Sequence, residues 1–382
     1  MTRRISRRPL LLLAATVAMT LRAATAPCAP LETSVEKARA MLIKEDLGDG
    51  VYVFRAPSDL DYWTSSNSVV IVNDHDVVVF DSPTRAVTAR AVIAEIRALT
   101  PKPVTVLINS HWHQDHWSGN DEYAKAFPGL RIIATEQTRD FMSRMPARFF
   151  VAEVENSSKR HRAELEAATT SGKLADGSPL TAQSRASLEA ALAVSEQAAV
   201  EVAALPRVLP NLVFRDEMTF WSGKREFRLL SVTGDATASA VLFLPGSRTL
   251  ATGDVLVSPE DGNGPPPWTT NSYAVTPWLE SLRRLAALDP AVIVPGQGPS
   301  MHDRAYLERT IELYAAIVGQ VRAALARGLV TEDEVQKVID VDRIGLAYTP
   351  GAGLSESFHS WVGRLTKKAM QEAQDGAAQV NR

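Results

Sequence analysis

Residues 104–116 read VTVLINSHWHQDH, an apolar run that leads directly into three histidines and an aspartate. The first six residues predict a buried β-strand. The following loop carries His111, His113, Asp115 and His116, and imidazole and carboxylate groups suit zinc, iron or manganese. A tight loop could bring the first two histidines to one ion while the last two side chains face a second. The alternative is a polar loop with ordinary hydrogen-bonded histidines, and four metal-ligating side chains in six positions argue against it.

The sequence on both sides of this loop alternates between strand and helix patterns. Apolar runs at 69–72 and 77–80 predict a pair of strands, and a helix is expected over about 85–99 before the strand at 104. This alternation predicts an α/β fold. The segment 152–204 is rich in Ala, Glu and Ser, has no strand pattern and is broken at 172–179, so it predicts an inserted helical hairpin.

The composition restricts the class of protein. The 382 residues are 45% hydrophobic and 22% charged, with a formal net charge of −3, which is ordinary for a globular protein and gives no sign of nucleic-acid binding. Strands resume between 212 and 251, and residues 303–382 are predicted to form a C-terminal helical extension.

The first residues resemble an export signal. Arginines 3, 4, 7 and 8 precede a short apolar stretch at 10–21, and Ala24-Thr25-Ala26 is a candidate cleavage site. This stretch is too short to span a bilayer. We therefore expect residues 1–26 to be a signal peptide, of either the secretory or the twin-arginine kind, and the protein to be periplasmic or secreted with no stable membrane span. Cys28 is the only cysteine, so no internal disulfide is expected.

The motif H-x-H-x-D-H at a strand end resembles the signature of the metallo-β-lactamase superfamily. Other landmarks follow in the family's order: Asp81 after a strand, Thr252-Gly253-Asp254, and Val294-Pro295-Gly296-Gln297-Gly298. The resemblance covers about 51–301. It implies a four-layer αβ/βα sandwich with two metal ions at one edge of the sheets, which we assign to a domain at 45–302.

Two positions differ from the family pattern. Gln297 stands where the family has its last histidine ligand, and Asp235 is the residue nearest to the family's middle histidine. Asp235 is either a ligand or a turn residue, and Gln297 either a weak oxygen ligand or a hydrogen-bonding group. The resemblance implies one metal position with Asp235 beside the two histidines of H-x-H, and a second with Asp115, His116 and Asp254, to which Gln297 is a possible addition.

The implied chemistry is hydrolysis. A metal-bound hydroxide would attack an ester, lactone, amide or β-lactam carbonyl of a small-molecule substrate. The cofactor is expected to be one or two zinc ions, with iron or manganese possible. Asp115 would orient the attacking water, and Asp81 would hold a ligand histidine through its ring N–H. The alternative is a degenerate member of the family that binds a metal or another ligand with little or no turnover. The oligomeric state is left open.

The substrate pocket is less clear from the sequence. Trp268, Tyr273 and Trp278 follow Asp254 and form either an aromatic rim or ordinary packing. The hairpin at 152–204 is a candidate cap over the site.

Overall fold

The computed structural model describes residues 34–57, 66–144, 147–258, 274–348 and 356–380. The predicted signal peptide, Cys28, Trp268 and Tyr273 lie outside these ranges.

Seven strands form the first sheet, and they follow one another in chain order. The neighbours from β1 to β4 pair antiparallel, and those from β4 to β7 pair parallel. The strands are β1 Ile43–Asp46, β2 Val51–Arg55, β3 Ser68–Val72, β4 Val77–Phe80, β5 Val104–Ile108, β6 Arg131–Thr135 and β7 Leu212–Phe214.

Five strands form the second sheet, in the order β12-β11-β10-β9-β8. Only the β11–β12 pair is parallel among these neighbours. The strands are β8 Glu217–Ser222, β9 Arg225–Val232, β10 Ser239–Leu244, β11 Thr249–Ala251 and β12 Val292–Val294.

The α-helices of the described residues fall before, between and after the strands. They are α1 Val35–Met41, α2 Ala86–Leu99, α3 Asn120–Ala126, α4 Glu136–Arg144, α5 Ala147–Ser171, α6 Ala182–Ala204, α7 Val275–Ala286, α8 Ala305–Ala326, α9 Glu332–Gln336, α10 Val341–Tyr348 and α11 Glu356–Val380.

Three hydrophobic cores stack these elements into four layers. One core joins α2 and α3 to the outer face of the first sheet. A second core lies between the two sheets. The third joins the outer face of the second sheet to α7, α8 and α11. The predicted four-layer sandwich is therefore confirmed.

Burial explains why the central strands are continuously apolar. All four residues of β4 are buried, because helices cover one face of the sheet and the second sheet covers the other. The edge strand β8 instead alternates between exposed and half-buried residues. The pattern of apolar residues along a strand therefore indicates whether one or both of its faces are covered.

The two helical additions have different relations to the sandwich. Helices α5 and α6 form the predicted inserted hairpin, joined by a turn closed by the Lys173–Pro179 bridge. The C-terminal helices α8 and α11 instead share the core of the second sheet. The predicted domain limits at 45 and 302 stay predictions. Within the ranges that the structure describes, no helix has the length and apolarity needed to cross a bilayer.

The strand ends place the ligand motif beside both sheets. The loop after β5 follows a parallel strand next to β4, so the residues after these two strands meet at one sheet edge. The backbone N–H of Ala240, in the second sheet, donates to the carbonyl of Ser110 at 2.6 Å. The ligand loop is therefore attached to both sheets.

Two glycines should respond to alanine in opposite directions. Gly319 lies exposed inside α8 and an added Cβ meets nothing within 4 Å, so Gly319→Ala should raise the free energy of unfolding by about 0.5–1 kcal/mol. Gly50 has a φ of +72°, and a Cβ there would lie 2.7 Å from the carbonyl oxygen of Val72. Gly50→Ala should therefore lower the free energy of unfolding by about 1–3 kcal/mol. Urea unfolding followed by circular dichroism measures both, and equal shifts of the same sign would contradict this account.

Candidate metal centre

The ligand loop is a short, hydrogen-bonded turn. After β5, residues Gln114–His116 form one turn of 3-10 helix, and the backbone N–H of His116 donates to the carbonyl of His113 at 3.1 Å. The hydroxyl of Ser118 donates to the carbonyl of Gln114 at 2.7 Å. This turn places the ring of His111 against the other two, with its centroid 4.5 Å from that of His113 and 4.2 Å from that of His116.

A first group of potential ligands contains His111, His113, Asp235 and Asp254. Their nearest donor atoms all lie within 4.8 Å of one another. The Nδ1 of His113 is 3.3 Å from Oδ2 of Asp235, and Nε2 of His111 is 3.9 Å from Oδ2 of Asp254. The structure therefore brings Asp235 to the histidines, where the sequence left it between a ligand and a turn residue.

A second group contains Asp115, His116 and Asp254. The Nε2 of His116 lies 3.2 Å from Oδ2 of Asp115 and 3.3 Å from Oδ1 of Asp254. Asp254 belongs to both groups, and its two oxygens face different imidazoles. A carboxylate in this arrangement can bridge two ions.

Buried atoms without hydrogen bonds show that the groups fit metal ions. Nε2 of His111, Nε2 of His116 and Oδ1 of Asp254 are all buried and none makes a hydrogen bond, although Nε2 of His116 lies within ion-pair distance of Asp115 and Asp254. Leaving such atoms unpaired is costly unless something else satisfies them. Four ligands about 2.0 Å from a tetrahedral zinc ion lie about 3.3 Å apart. The 3.2–3.3 Å contacts of His113 and His116 with carboxylate oxygens match that spacing.

Two polar groups behind the ligands fix the orientation of the rings. The Nδ1 of His116 lies 2.8 Å from Oδ2 of Asp81, and the Nδ1 of His111 lies 2.9 Å from the hydroxyl of Ser110. In both rings the other nitrogen, Nε2, is left facing the carboxylates. Asp81 therefore stands where a carboxylate that orients a ligand histidine is expected.

Asp81 is itself held in an unusual backbone conformation. Its φ is +62°, a left-handed value that is rare for residues other than glycine. Its Oδ1 accepts the backbone N–H of Ser110 at 2.6 Å, and its carbonyl accepts the hydroxyl of Ser68 at 3.0 Å. Strain of this kind persists only where surrounding contacts impose it, and it is concentrated at functional sites.

The charges of the site divide the histidines into two kinds. Burial, together with the positive charges of His116 and His113, lowers the pKa of His111 well below its usual value. Burial also acts to lower the pKa of His116, but the charges of Asp254, Asp115 and Asp81 outweigh it and raise that pKa well above its usual value. His111 is therefore a neutral ring ready to bind a cation, whereas His116 lies in a strongly anionic environment.

Carboxylates are concentrated at this site. Asp115, Asp235 and Asp254 each bring a carboxylate to the two groups, and Asp81, whose pKa is raised by burial, lies behind them. Burial opposes ionisation of Asp115, but the His116 and His113 charges outweigh it and lower the pKa of this carboxyl. The carboxylates of the two groups therefore suit divalent cations in charge as well as in geometry.

The comparison with known protein families agrees with this geometry. The sequence profile of the Metallo-beta-lactamase superfamily matches residues 61–297, which is more than half of the chain. The chain belongs to the metallo-beta-lactamase superfamily. The family is one of hydrolases, and the candidate metal groups suit divalent ions.

Individual relatives of this superfamily member are distant. A linear primary-alkylsulfatase from Pseudomonas sp. (strain ATCC 19151) is 25% identical over 274 residues, which are 69% of this chain and 48% of the relative. The chain thus spans about half the length of that curated relative. Among solved structures, a metallo-beta-lactamase from Pontibacter korlensis is 16% identical, covering 72% of this chain and 98% of its own, with a TM-score of 0.47. The DIM-1 metallo-beta-lactamase exposed to ceftazidime is 16% identical, covering 72% and 96%, with a TM-score of 0.48.

The structure brings every sequence-predicted site residue of this superfamily member to one place. His111, His113, Asp115, His116, Asp235 and Asp254 form the two groups, and Asp81 lies behind His116. Gln297 lies against the second group, but with its nitrogen inward: Nε2 donates to Oδ2 of Asp115 at 3.1 Å and to Oδ2 of Asp254 at 3.4 Å. The expected oxygen ligand is thus a hydrogen-bond donor in this geometry. The roles of these residues remain predictions.

One site residue had no signal in the sequence. The Nδ2 of Asn67 donates to the carbonyls of Pro295 and Gly298 at 2.9 and 2.8 Å. The backbone N–H of Asn67 donates to the carbonyl of Gly296 at 2.7 Å. These bonds fix the turn that carries Gln297. The turn and Asn67 are 228 residues or more apart in the chain, so no local pattern links them.

Glycines in the same region leave room for the carboxylates. A Cβ on Gly296 would lie 2.0 Å from Oδ1 of Asp254, and one on Gly253, whose φ is +51°, would lie 2.5 Å from Cβ of Ser110. The Gly-Asp and Pro-Gly-Gln-Gly motifs therefore serve close packing of backbone against ligand.

The inserted hairpin reaches the aromatic residues of the ligand loop. Trp117 is buried with Ala198 and Val202 of α6, and Trp112 packs against this cluster. The Trp112 ring centroid is 4.3 Å from that of His113. Trp278, in contrast, is buried in the core of the second sheet, so packing is the correct alternative for this residue.

Removing the Asp81 charge should weaken metal binding. Asp81→Asn leaves one side-chain oxygen to serve both the Ser110 N–H and the His116 ring, so His116 loses its fixed orientation. We expect metal affinity to fall by about 10–100-fold, the range typical of such supporting carboxylates. Zinc titration against a chromophoric chelator measures the change. Asp176→Asn, an exposed position in the hairpin turn, is the matched control and should bind zinc as the unmodified chain does. Equal affinities in the two variants would contradict the role of Asp81.

Proposed function

We propose that this protein is a metal-dependent hydrolase that holds two divalent ions, with zinc the best fit. The buried, unbonded Nε2 atoms of His111 and His116, each facing a carboxylate oxygen of Asp254, carry the proposal. Mixed imidazole and carboxylate ligands at tetrahedral spacing favour zinc over the harder ions. Iron and manganese use the same ligand types, so the metal analysis below includes them.

The residues divide the work of the proposed reaction among them. When bound, ions of this kind lower the pKa of a water molecule and polarise an oxygen on the electrophilic centre of the substrate, such as a carbonyl oxygen. His111, His113 and Asp235 would hold the first ion, Asp115 and His116 would hold the second, and Asp254 would contribute to both. Asp115 is 18% exposed at its side chain, the largest exposure among the carboxylates of the two groups, and so it is the carboxylate that can orient an incoming water. Asp81 keeps Nε2 of His116 directed inward.

The substrate proposed from the sequence is a small molecule with an ester, lactone, amide or β-lactam carbonyl. A sulfate ester is a second candidate, supported by the 25% identity to the linear primary-alkylsulfatase. Both classes place an electrophilic centre beside an oxygen that gains negative charge as water adds, which is what a pair of cations stabilises.

We also propose that the protein is exported to the periplasm or secreted. The support is the arginine-rich, apolar leader at residues 1–26. Edman sequencing of the protein recovered from the periplasm should give a new N-terminus after the leader.

Metal content should follow the assignment of ligands to the two groups. Elemental analysis after zinc reconstitution should give two ions per chain. Asp235→Asn should weaken the first position alone and Asp115→Asn the second alone, whereas Asp254→Ala should weaken both because its oxygens face both imidazoles. Loss of one ion in each of the three variants would contradict the shared role of Asp254. A chain that holds no zinc, iron or manganese would end the proposal.

Activity should depend on the histidines of the first group. We expect the zinc-loaded chain to hydrolyse at least one member of a panel of carboxylic esters, lactones, nitrocefin and primary alkyl sulfates, and His113→Ala to lose this activity by about 100-fold or more. The panel separates the two substrate classes. Two tightly bound ions without activity on any substrate would favour the degenerate, binding-only alternative.

A further inference from the structure

Gln297 stands at the boundary between the two metal groups. Its Nε2 donates to Oδ2 of Asp115 at 3.1 Å and more weakly to Oδ2 of Asp254 at 3.4 Å. The shorter bond goes to Asp115, which belongs to the second group alone. The amide therefore contacts the second group more closely than the first.

The two groups offer different numbers of ionisable ligands. The first has four, His111, His113, Asp235 and Asp254, whereas the second has three, Asp115, His116 and Asp254. The separation of Gln297 Nε2 from Asp115 matches the roughly 3.3 Å expected between two ligands of one tetrahedral ion. The terminal amide thus lies where a fourth ligand of the second ion belongs.

The chemistry of the amide makes this fourth ligand a poor one. Two carboxylates attract the N–H side of the amide and repel its oxygen, which accounts for the orientation of Gln297. A cation needs the oxygen instead, because an amide nitrogen has no available lone pair. Binding a second ion therefore requires rotation of the terminal amide and loss of its hydrogen bonds to the carboxylates.

We infer, on the basis of the proposed function, that the two metal positions are unequal and that Gln297 is the residue that weakens the second. The first ion binds tightly to the four-ligand group. The second binds only when the Gln297 amide turns its oxygen inward. The site then works with one resident ion and a second that exchanges with the available metal.

The surroundings of Gln297 fix its backbone. Asn67 holds the turn on both sides of it through the carbonyls of Pro295 and Gly298. The backbone carbonyl of Gln297 accepts the N–H of Ser258 at 3.0 Å. With the backbone fixed, the second group can change at this position only through the side-chain torsions of Gln297.

Calorimetric titration of the full chain with zinc tests the inference. We expect two binding steps whose dissociation constants differ by about 100-fold or more. Gln297→Glu keeps the length of the side chain, removes its N–H donors and adds an anionic oxygen, so it should tighten the second step by about tenfold or more and leave the first within about threefold. Gln297→His should also tighten the second binding step. Gln183→Glu, at an exposed position on α6, is the charge-matched control.

The spectrum of the cobalt-substituted protein gives a readout independent of activity. The second equivalent of cobalt should bind to Gln297→Glu at lower free cobalt than to the unmodified chain and with a changed d–d spectrum. Two ions bound in one step of equal affinity, or an unchanged second step in both variants, would overturn the inference while leaving the proposed function intact. Binding of no ion at all would overturn both.

Discussion

The carboxylate of Asp81 is the contact on which the site depends. It joins the end of β4 to the end of β5 through the Ser110 N–H, and it joins both strands to the ring of His116. The backbone N–H of Ser82 adds a second link from the end of β4, because it donates to the carbonyl of His116 at 3.1 Å. The left-handed backbone of Asp81 is maintained by these bonds, together with the one from Ser68. This strain accompanies the orientation of His116, a candidate metal ligand, and strain of this kind is concentrated at functional sites.

The metal groups also form the junction between the two sheets. The first sheet supplies the histidines, and Asp235 and Asp254 follow strands of the second sheet. Each group thus contains side chains from both sheets, linked further by the Ala240–Ser110 and Asn67–Gly296 backbone bonds. Ions that bind only the folded chain stabilise it by mass action, so occupancy of the site and cohesion of the sandwich are linked.

The sequence predicted the features that are local. Continuous apolar runs predicted the buried strands because both faces of each sheet are covered. The ligand loop could be recognised from the sequence because its four candidate ligands lie within six positions. Asp254 and Gln297 were predicted only from the resemblance. The bond from Asn67 to the Pro295 carbonyl joins residues 228 positions apart, and the bond from Gln297 to Asp115 joins residues 182 positions apart, so no periodicity predicts either. The sharing of one core by the C-terminal helices and the second sheet likewise depends on tertiary packing.

The buried charges explain why the same cluster serves function better than stability. Asp81 and Asp235 are almost fully buried, and Asp115 and Asp254 lie close to the same imidazoles. Carboxylates brought together in this way raise the free energy of the folded chain unless cations compensate for them. An apolar cluster at the same sheet edge would be easier to fold, so the buried charges are explained by cation binding and not by stability. The neutral amide of Gln297 supplies hydrogen bonds to two of these carboxylates without adding a further charge, which moderates that cost at the position with fewer ligands.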